Sequence, residues 1–387
     1  MAGPPGSDVM QTILTNARLV LEDRCVVGTL VHEGGVIRDV SDGLSHAPGA
    51  IDIEGDLLAP GLVELHTDNL EKHFMPRPGV IWPDPLAAVL AHDGQMAASG
   101  VTTVYDALFV GGYEVENDAR KGLLPMMVAA IEKGAAANLF RVDHRIHLRC
   151  ELTDPGLIDH LSPFAGGPLV ALASLMDHTP GQRQWRDVNQ LKRFMMREGL
   201  SPADTDLLVE KRRTDGVKAA SANWPRAVSL FRDQGVPIAS HDDTTAEHVA
   251  EAAQAGCAIS EFPTSLEAAL AAKAAGLGVV GGAPNVVRGG SHAGNVSAVE
   301  LAREGVLDAL SSDYVPASLL QAVFALTREP GLALHEAFAF ATSGPARMLG
   351  LADRGRIAPD LRADLLRVKI HEGTPVVRGL VVAGRSV

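Results

Sequence analysis

One repeated unit restricts this chain more than anything else: a short apolar run that closes on a polar residue, followed by an Ala-rich segment of helical length. The apolar runs are "LLAPGLVELH", "VTTVYDAL", "RIHLRCEL", "LVALASLMDH", "VPIASHD", "CAISEFP", "LGVVGGAP" and "LDALSSDY". Segments such as "TAEHVAEAAQAG" and "SLEAALAAKAAG" lie between them, with apolar residues at helical spacing and a closing Gly. Strands and helices alternating in this way predict a (β/α)8 barrel of the TIM type, with an open doubly wound sheet as the alternative. The two ends of the chain have a different texture, reading as short strands and turns: "TILTNARLVL" and "CVVGTLVHEGGVIRDV" at one end, "ADLLRVKI" and "VVRGLVVAGRSV" at the other. The barrel is therefore expected over residues 58–354, with residues 1–57 and 355–387 as strand-rich segments on either side of it.

Composition narrows the function classes. Aromatic residues make up 4% of the chain, so the core must rest on Ala, Val, Leu and Ile. A net charge of −13 argues against a nucleic-acid binder, although a small anionic substrate needs only a local group of cations. Three scattered cysteines, Cys25, Cys150 and Cys257, form no CxxC pattern and no disulfide framework. The opening "MAGPPGSDVMQ" lacks a basic and then apolar leader, and no apolar run reaches the ~18 residues a membrane span needs. A cytoplasmic protein with no membrane partner is expected; a homo-oligomer is left open.

Chemistry in such a barrel gathers at the C-terminal strand ends. There the runs finish in His66 and Asp68, Glu151, His178, His241 and Asp313. Strand alternation places Glu64, His66 and Asp68 on one face, and Asp143, Arg145, His147, Arg149 and Glu151 on the inner face of a later strand. A barrel interior normally holds branched aliphatics, so this polar face marks a site. Each residue also has an ordinary structural reading: His178 as a turn cap, Asp313 as a helix N-cap, Glu151 paired with Arg149 or Arg145. Their joint fall at strand ends favours a metal site. Imidazole and carboxylate donors without cysteine suit zinc, manganese or iron, as one ion or two, and such ions lower the pKa of water toward ~7.

The "PGLVELH" opening and the closing "GRIAPDLRADLL" resemble the amidohydrolase superfamily, in which both chain ends build a small β-sandwich beside a metal-bearing barrel. The longer motifs "PGLVELHTDNLEKHFMPRPGVIWP", "HRIHLRCEL", "MDHTPGQRQW", "SHDDTTAEHV", "EFPTSLEAA", "GAPNVVRGGSHAGNVSA" and "LSSDYVP" are similar to one branch of it, the diphosphatases of phosphonate metabolism. Two departures from the wider superfamily go with that branch. His66-Thr67-Asp68 stands where His-x-His is usual, and Glu151 stands in for the bridging carboxylated lysine. Whether Asp68 binds metal directly or through water stays open.

The resemblance implies hydrolysis of α-D-ribose 1-methylphosphonate 5-triphosphate to the 5-phosphate and pyrophosphate, in the carbon–phosphorus lyase pathway. It implies metal ligands at His66, Asp68, Glu151, His178 and His241, with Asp313 as general base or as the group that orients the water. A triphosphate needs cations, and those of the same motifs are the candidates: Lys72, His73, Arg77, Arg145, Arg149, Arg183, Arg288 and His292. The alternative activity is cleavage of a C–N bond by a deaminase or deacetylase of the same superfamily. A non-catalytic scaffold is disfavoured by the full ligand set.

Overall fold

A computed structural model describes residues 11–112, 122–197, 199–290 and 294–387. Its strands are β1 (Thr12–Val20), β2 (Cys25–Glu33), β3 (Val36–Asp42), β4 (Ile51–Asp52), β5 (Leu57–Pro60), β6 (Leu62–Thr67), β7 (Val101–Val110) and β8 (Asp143–Glu151). They continue as β9 (Val170–Met176), β10 (Ile238–His241), β11 (Ile259–Glu261), β12 (Gly278–Gly282), β13 (Ala309–Ser311), β14 (Leu365–His371), β15 (Thr374–Val382) and β16 (Arg385–Ser386).

Strands β6 to β13 pair in parallel, each with the next in sequence. A bridge between Thr67 and Asp313 closes the ring: Asp68 N–H reaches Asp313 O at 3.1 Å and Asp313 N–H reaches His66 O at 3.2 Å. Inside, Leu65, Tyr105, Leu172, Ala239, Ile259, Val280 and Ala309 form an apolar layer below the mouth. The outward residues, among them Val104, Leu108, Ile146, Leu148 and Leu310, are buried against the surrounding helices. Several helices begin directly after the strand ends because a side chain there caps the first turn. Thr245 and Ser265 cap Ala246–Gln254 and Leu266–Ala274 in this way, and Ser297 caps Ala298–Arg303 further along the loop after β12. Between β9 and β10 a helical insertion carries its own small core of Leu191, Met195 and Val209. Among the described residues, no helix is long and apolar enough to cross a membrane.

The chain ends build the second sheet, ordered β16-β15-β14-β5-β1-β2-β3, with β4 beside β1. Leu19, Leu30, Ile37, Leu58, Ile357 and Leu365 form its core. "LLAPGLVELH" is two strands rather than the single one expected: β5 pairs with β14 in the terminal sheet, and only β6 enters the barrel. Gly61 marks the switch. A Cβ there would come within 2.2 Å of the Thr102 side chain, so the crossing from one sheet to the other requires glycine.

Alternation along β6 also departs from the expected pattern. Leu65 lies in the inner apolar layer, while the next residue, His66, also reaches inner residues of β8 and β11. The pairing of β6 with β7 shifts register between Glu64 and Thr67, and that irregularity turns two consecutive side chains inward.

Candidate metal centre

Left-handed backbone shapes the barrel mouth. Asp242, Phe262 and Asp313 follow β10, β11 and β13 with φ of 56°, 53° and 53°. Such conformations are uncommon without glycine and bend the chain sharply at the strand ends. His241 and its neighbour Asp242 can therefore both face the site.

The buried carboxylate of Glu261 organises the centre. Its Oε1 lies 3.1 Å from His66 Nδ1 and its Oε2 lies 3.1 Å from His241 Nδ1. A carboxylate accepts, so both Nδ1 atoms carry hydrogen and both Nε2 atoms keep their lone pairs. The two rings stack at 5.7 Å, and His147 meets His66 edge-on at 4.9 Å. His147 Nε2 is held at 2.7 Å by Ser174 Oγ. Burial drives His66 down to about 4, only partly opposed by Glu261, and drives His147 down to about 3. Both imidazoles are neutral at pH 7. Burial alone would raise Glu261, but the imidazoles of His66 and His147 and the hydrogen bonds it accepts hold it well below the usual carboxylate range.

Among the described residues, the buried polar atoms at the mouth without a hydrogen-bond partner include His66 Nε2, Asp68 Oδ1 and Asp242 Oδ2. Such orphans are costly in a protein interior. His178 Nε2 and His241 Nε2 each lie 3.6 Å from Asp242 Oδ2. Glu151 Oε2 is 2.6 Å from His178 Nδ1. Burial would lower His178, yet Glu151 and then Asp242 outweigh it and raise the imidazole to about 9. A proton therefore sits between His178 and Glu151 where a cation can replace it. Nitrogen and carboxylate donors with unsatisfied lone pairs, converging in one place, fit a divalent metal.

Asp313 stands at the seam beside these groups. Burial and the like charge of Asp68 push its carboxyl up to about 7, against the pull of Arg149. Arg149 Nη1 is 3.7 Å from Asp68 Oδ2. Lys72 Nζ donates to Tyr314 O at 2.6 Å and lies 5.3 Å over the Tyr314 ring, one residue from Asp313. These two cations border the mouth.

The other expected anion contacts fare differently. Arg183 is buried and donates to Asp243 at 2.9 Å and to His241 O at 3.2 Å, so it braces the end of β10. His73 donates to Gln95 Oε1 at 2.9 Å. Arg77 is exposed in a turn, Arg288 is exposed at the end of the short helix Ala283–Arg288, and His292 lies outside the described residues. Arg145 is a correction. It sits near the start of β8, paired with Asp143, and six residues of strand separate it from the mouth by roughly 20 Å. Sharing a strand face with Glu151 did not place it at the same height. A cavity of about 290 Å³ also opens at the opposite end of the barrel, but Arg354 and Arg356 in its wall are already paired, with Asp143 and Glu22.

Glu261 and Asp242 were not among the expected site residues. Glu261 closes the run "CAISEFP" and was open to the strand-end argument; Asp242 was hidden by alternation. Glu64 was seen only as a face-sharing neighbour. Its Oε1 accepts from His66 N–H at 2.8 Å and its Oε2 from Ser312 N–H at 2.7 Å, which ties β6 to β13 behind the metal donors. Burial pushes this carboxyl up to about 7, partly offset by those hydrogen bonds.

A (β/α)8 barrel with imidazoles and carboxylates at its mouth and a sheet built from both chain ends defines a hydrolase of the metal-dependent amidohydrolase class. The chain belongs to the amidohydrolase family, whose model matches residues 203–387. It is 43% identical over 357 residues, 92% of this chain and 94% of its relative, to the alpha-D-ribose 1-methylphosphonate 5-triphosphate diphosphatase of Escherichia coli K12. Solved structures share the fold at lower identity. The 5-methylcytosine deaminase of Klebsiella pneumoniae matches with a TM-score of 0.66 and 17% identity, over 97% of this chain and 98% of its own. The N-acetyl-D-glucosamine-6-phosphate deacetylase of Mycobacterium smegmatis matches with a TM-score of 0.64 and 18% identity, over 97% and 99%.

Proposed function

We propose that this protein hydrolyses α-D-ribose 1-methylphosphonate 5-triphosphate to the 5-phosphate and pyrophosphate. The observation that carries the reading is the 43% identity, over nearly the whole of both chains, to a diphosphatase of that substrate. The mouth is compatible with it: Arg149 and Lys72 border the carboxylates, and Arg77, Arg288 and His292 are further candidates to meet the phosphates.

His66, Asp68, Glu151, His178, His241 and Asp242 would hold the metal, with Glu261 fixing the tautomers of two imidazoles. Zinc suits this set, as do manganese and iron, and one or two bound ions would supply the Lewis acidity that makes water nucleophilic near neutral pH. Asp313, poised near 7, would take the proton of the attacking water. The water oxygen bonds to phosphorus while the anhydride bond to pyrophosphate breaks, and pyrophosphate leaves with the bonding electron pair. Charge neutralisation then matters more than acid catalysis, and Arg149 and Lys72 are placed to contribute it. Three free cysteines, two of them buried, accord with a reducing cytoplasm.

The test is pyrophosphate release from this triphosphate and from ATP by metal-reconstituted protein. Asp313→Asn should lower kcat by about 10²–10⁴-fold while the protein stays folded. Release of single phosphate, or hydrolysis of amides instead, overturns the reading in favour of a C–N hydrolase.

A further inference from the structure

The outward face of β7 and β8, otherwise packed with Val104, Leu108, Ile146 and Leu148, carries the buried ionisable residues Asp106 and His144. They belong to a chain of hydrogen bonds and close polar contacts between the barrel wall and the helix Pro85–Ala98. Asp106 Oδ1 is 2.7 Å from His92 Nε2, and Asp106 Oδ2 is 2.7 Å from His144 Nδ1. His144 Nε2 faces Asp93 Oδ1 at 3.5 Å. Asp93 also accepts from the Arg141 and Val142 backbone amides at 2.8 and 3.1 Å, and from the Arg141 guanidinium at 3.0 Å. At the other end, His92 Nδ1 meets Asn69 Nδ2 at 3.2 Å. Asn69 Nδ2 also reaches Gln95 Oε1 at 2.9 Å.

The protons can be placed. Asp106 accepts at both oxygens, so His92 donates from Nε2 and must offer Nδ1 as an acceptor. Asn69 has two amide hydrogens, and His92 Nδ1 and Gln95 Oε1 take both. The remaining contact, 3.4 Å from Asn69 Nδ2 to His73 Nε2, joins two donors; His73 bonds Gln95 instead. The amide at 69 and the neutral imidazole at 92 satisfy this order. The three groups His92, Asp106 and His144 also have metal-ligand spacing. Yet both oxygens of Asp106 already hold imidazole N–H groups, and Arg141 and His144 balance the charges of Asp93 and Asp106, so no Asp106 oxygen is left over for a cation.

A wall of apolar residues at these positions would pack at least as stably, because buried charges cost much of what their pairing returns. The polar chain ends at the residue directly after Asp68. Asn69 opens the turn and short helix Leu70–Phe74 that carries Lys72 and His73 to the mouth. We propose that Asp93, His144, Asp106 and His92 act through Asn69 as positioning residues, fixing the turn that presents Asp68 to the metal donors and Lys72 to the anion. This rests on the reading of Asp68 as part of the metal centre. An error of about 1 Å in such a group can cost about 100-fold in rate.

The experiment compares zinc affinity, kcat and KM of wild type, Asn69→Ala, His92→Gln and the double variant, with unfolding midpoints as a control. Gln can still donate toward Asp106, but its acceptor oxygen lies beside that amide nitrogen rather than at the imidazole Nδ1 position that faces Asn69. Asn69→Ala should weaken zinc binding about 10-fold and lower kcat by about 10-fold or more with little change in KM, at a near-native midpoint. The double variant should lose no more than Asn69→Ala alone, since both break the same link. Unchanged zinc affinity and kcat in Asn69→Ala overturns the proposal, as does a double variant whose losses multiply. If His92→Gln fails to fold, Asn69→Ala decides alone. Wild-type protein inactive on the triphosphate overturns the substrate reading, while the zinc affinities still decide the positioning one.

Discussion

Glu261 must accept from two imidazole N–H groups at once, which only an ionised carboxylate does without conflict. In Glu261→Gln the amide NH2 would face a second donor and release either His66 or His241. Metal affinity should fall about 10–100-fold, measured by titration of the metal-free protein, with the fold retained. The legibility of the site divides at this scale. His66, Asp68, Glu151, His178, His241 and Asp313 stand at or just past strand ends, and that was readable. Asp242 was not, because strand alternation sends neighbours to opposite faces and the left-handed turn that defeats it leaves no mark when the residue is Asp rather than Gly. Glu261 was missed for a different reason: its role is toward other side chains, and tautomer control has no spacing signature.

At the scale of elements, all eight barrel strands coincide with apolar runs, because a strand buried on both faces must be apolar in sequence. What the runs hid was height and register: the break at Gly61, the shift within β6 and the depth of Arg145 along β8. The polar seam between β7, β8 and the helix Pro85–Ala98 has a stability consequence of its own. Burial would lower His144, but Asp106 and Asp93 outweigh it and raise the imidazole to about 9, against an ordinary 6.5. A raised folded-state value stabilises fully below about pH 6.5 and is lost as pH rises through 9. Unfolding midpoints should therefore fall between these limits. In His144→Gln, less stable below pH 6.5, that part of the fall should disappear, as thermal melts across the range would reveal.

For the molecule as a whole, Asp143 at the barrel floor joins the two sheets. Arg354 donates to it at 2.6 Å and to Thr103 at 2.9 Å, and Arg362 reaches it at 3.1 Å. Burial would raise Asp143, but Arg354 and Arg145 hold it down at about 2. Arg354→Ala strips a largely buried carboxylate of its main partner, with Arg362 and Arg145 as partial substitutes. A loss of about 2 kcal/mol in denaturant unfolding is expected. The floor of such a barrel serves stability and the mouth serves chemistry, so kcat of the folded variant should match wild type. A fall in kcat equal to that of mouth variants would contradict this division. The strand-rich texture of both chain ends was plain in the sequence, while their meeting in one sheet followed only from the resemblance to the superfamily. It depends on contacts across the full length of the chain, and local pattern carries no trace of them.

That meeting sets a clock on synthesis. β5 finds its partner β14 only after roughly 300 further residues have been made, on the order of 15–60 s at ribosomal speed. Throughout that interval one side of β5 offers open backbone groups to whatever it meets, the hazard of any unpaired edge. Barrel assembly can begin on the ribosome, whereas the terminal sheet is completed only near the end of translation. A newly made chain of this design is thus exposed to mispairing for almost its whole elongation time, and the last strands to emerge are the ones that end the exposure.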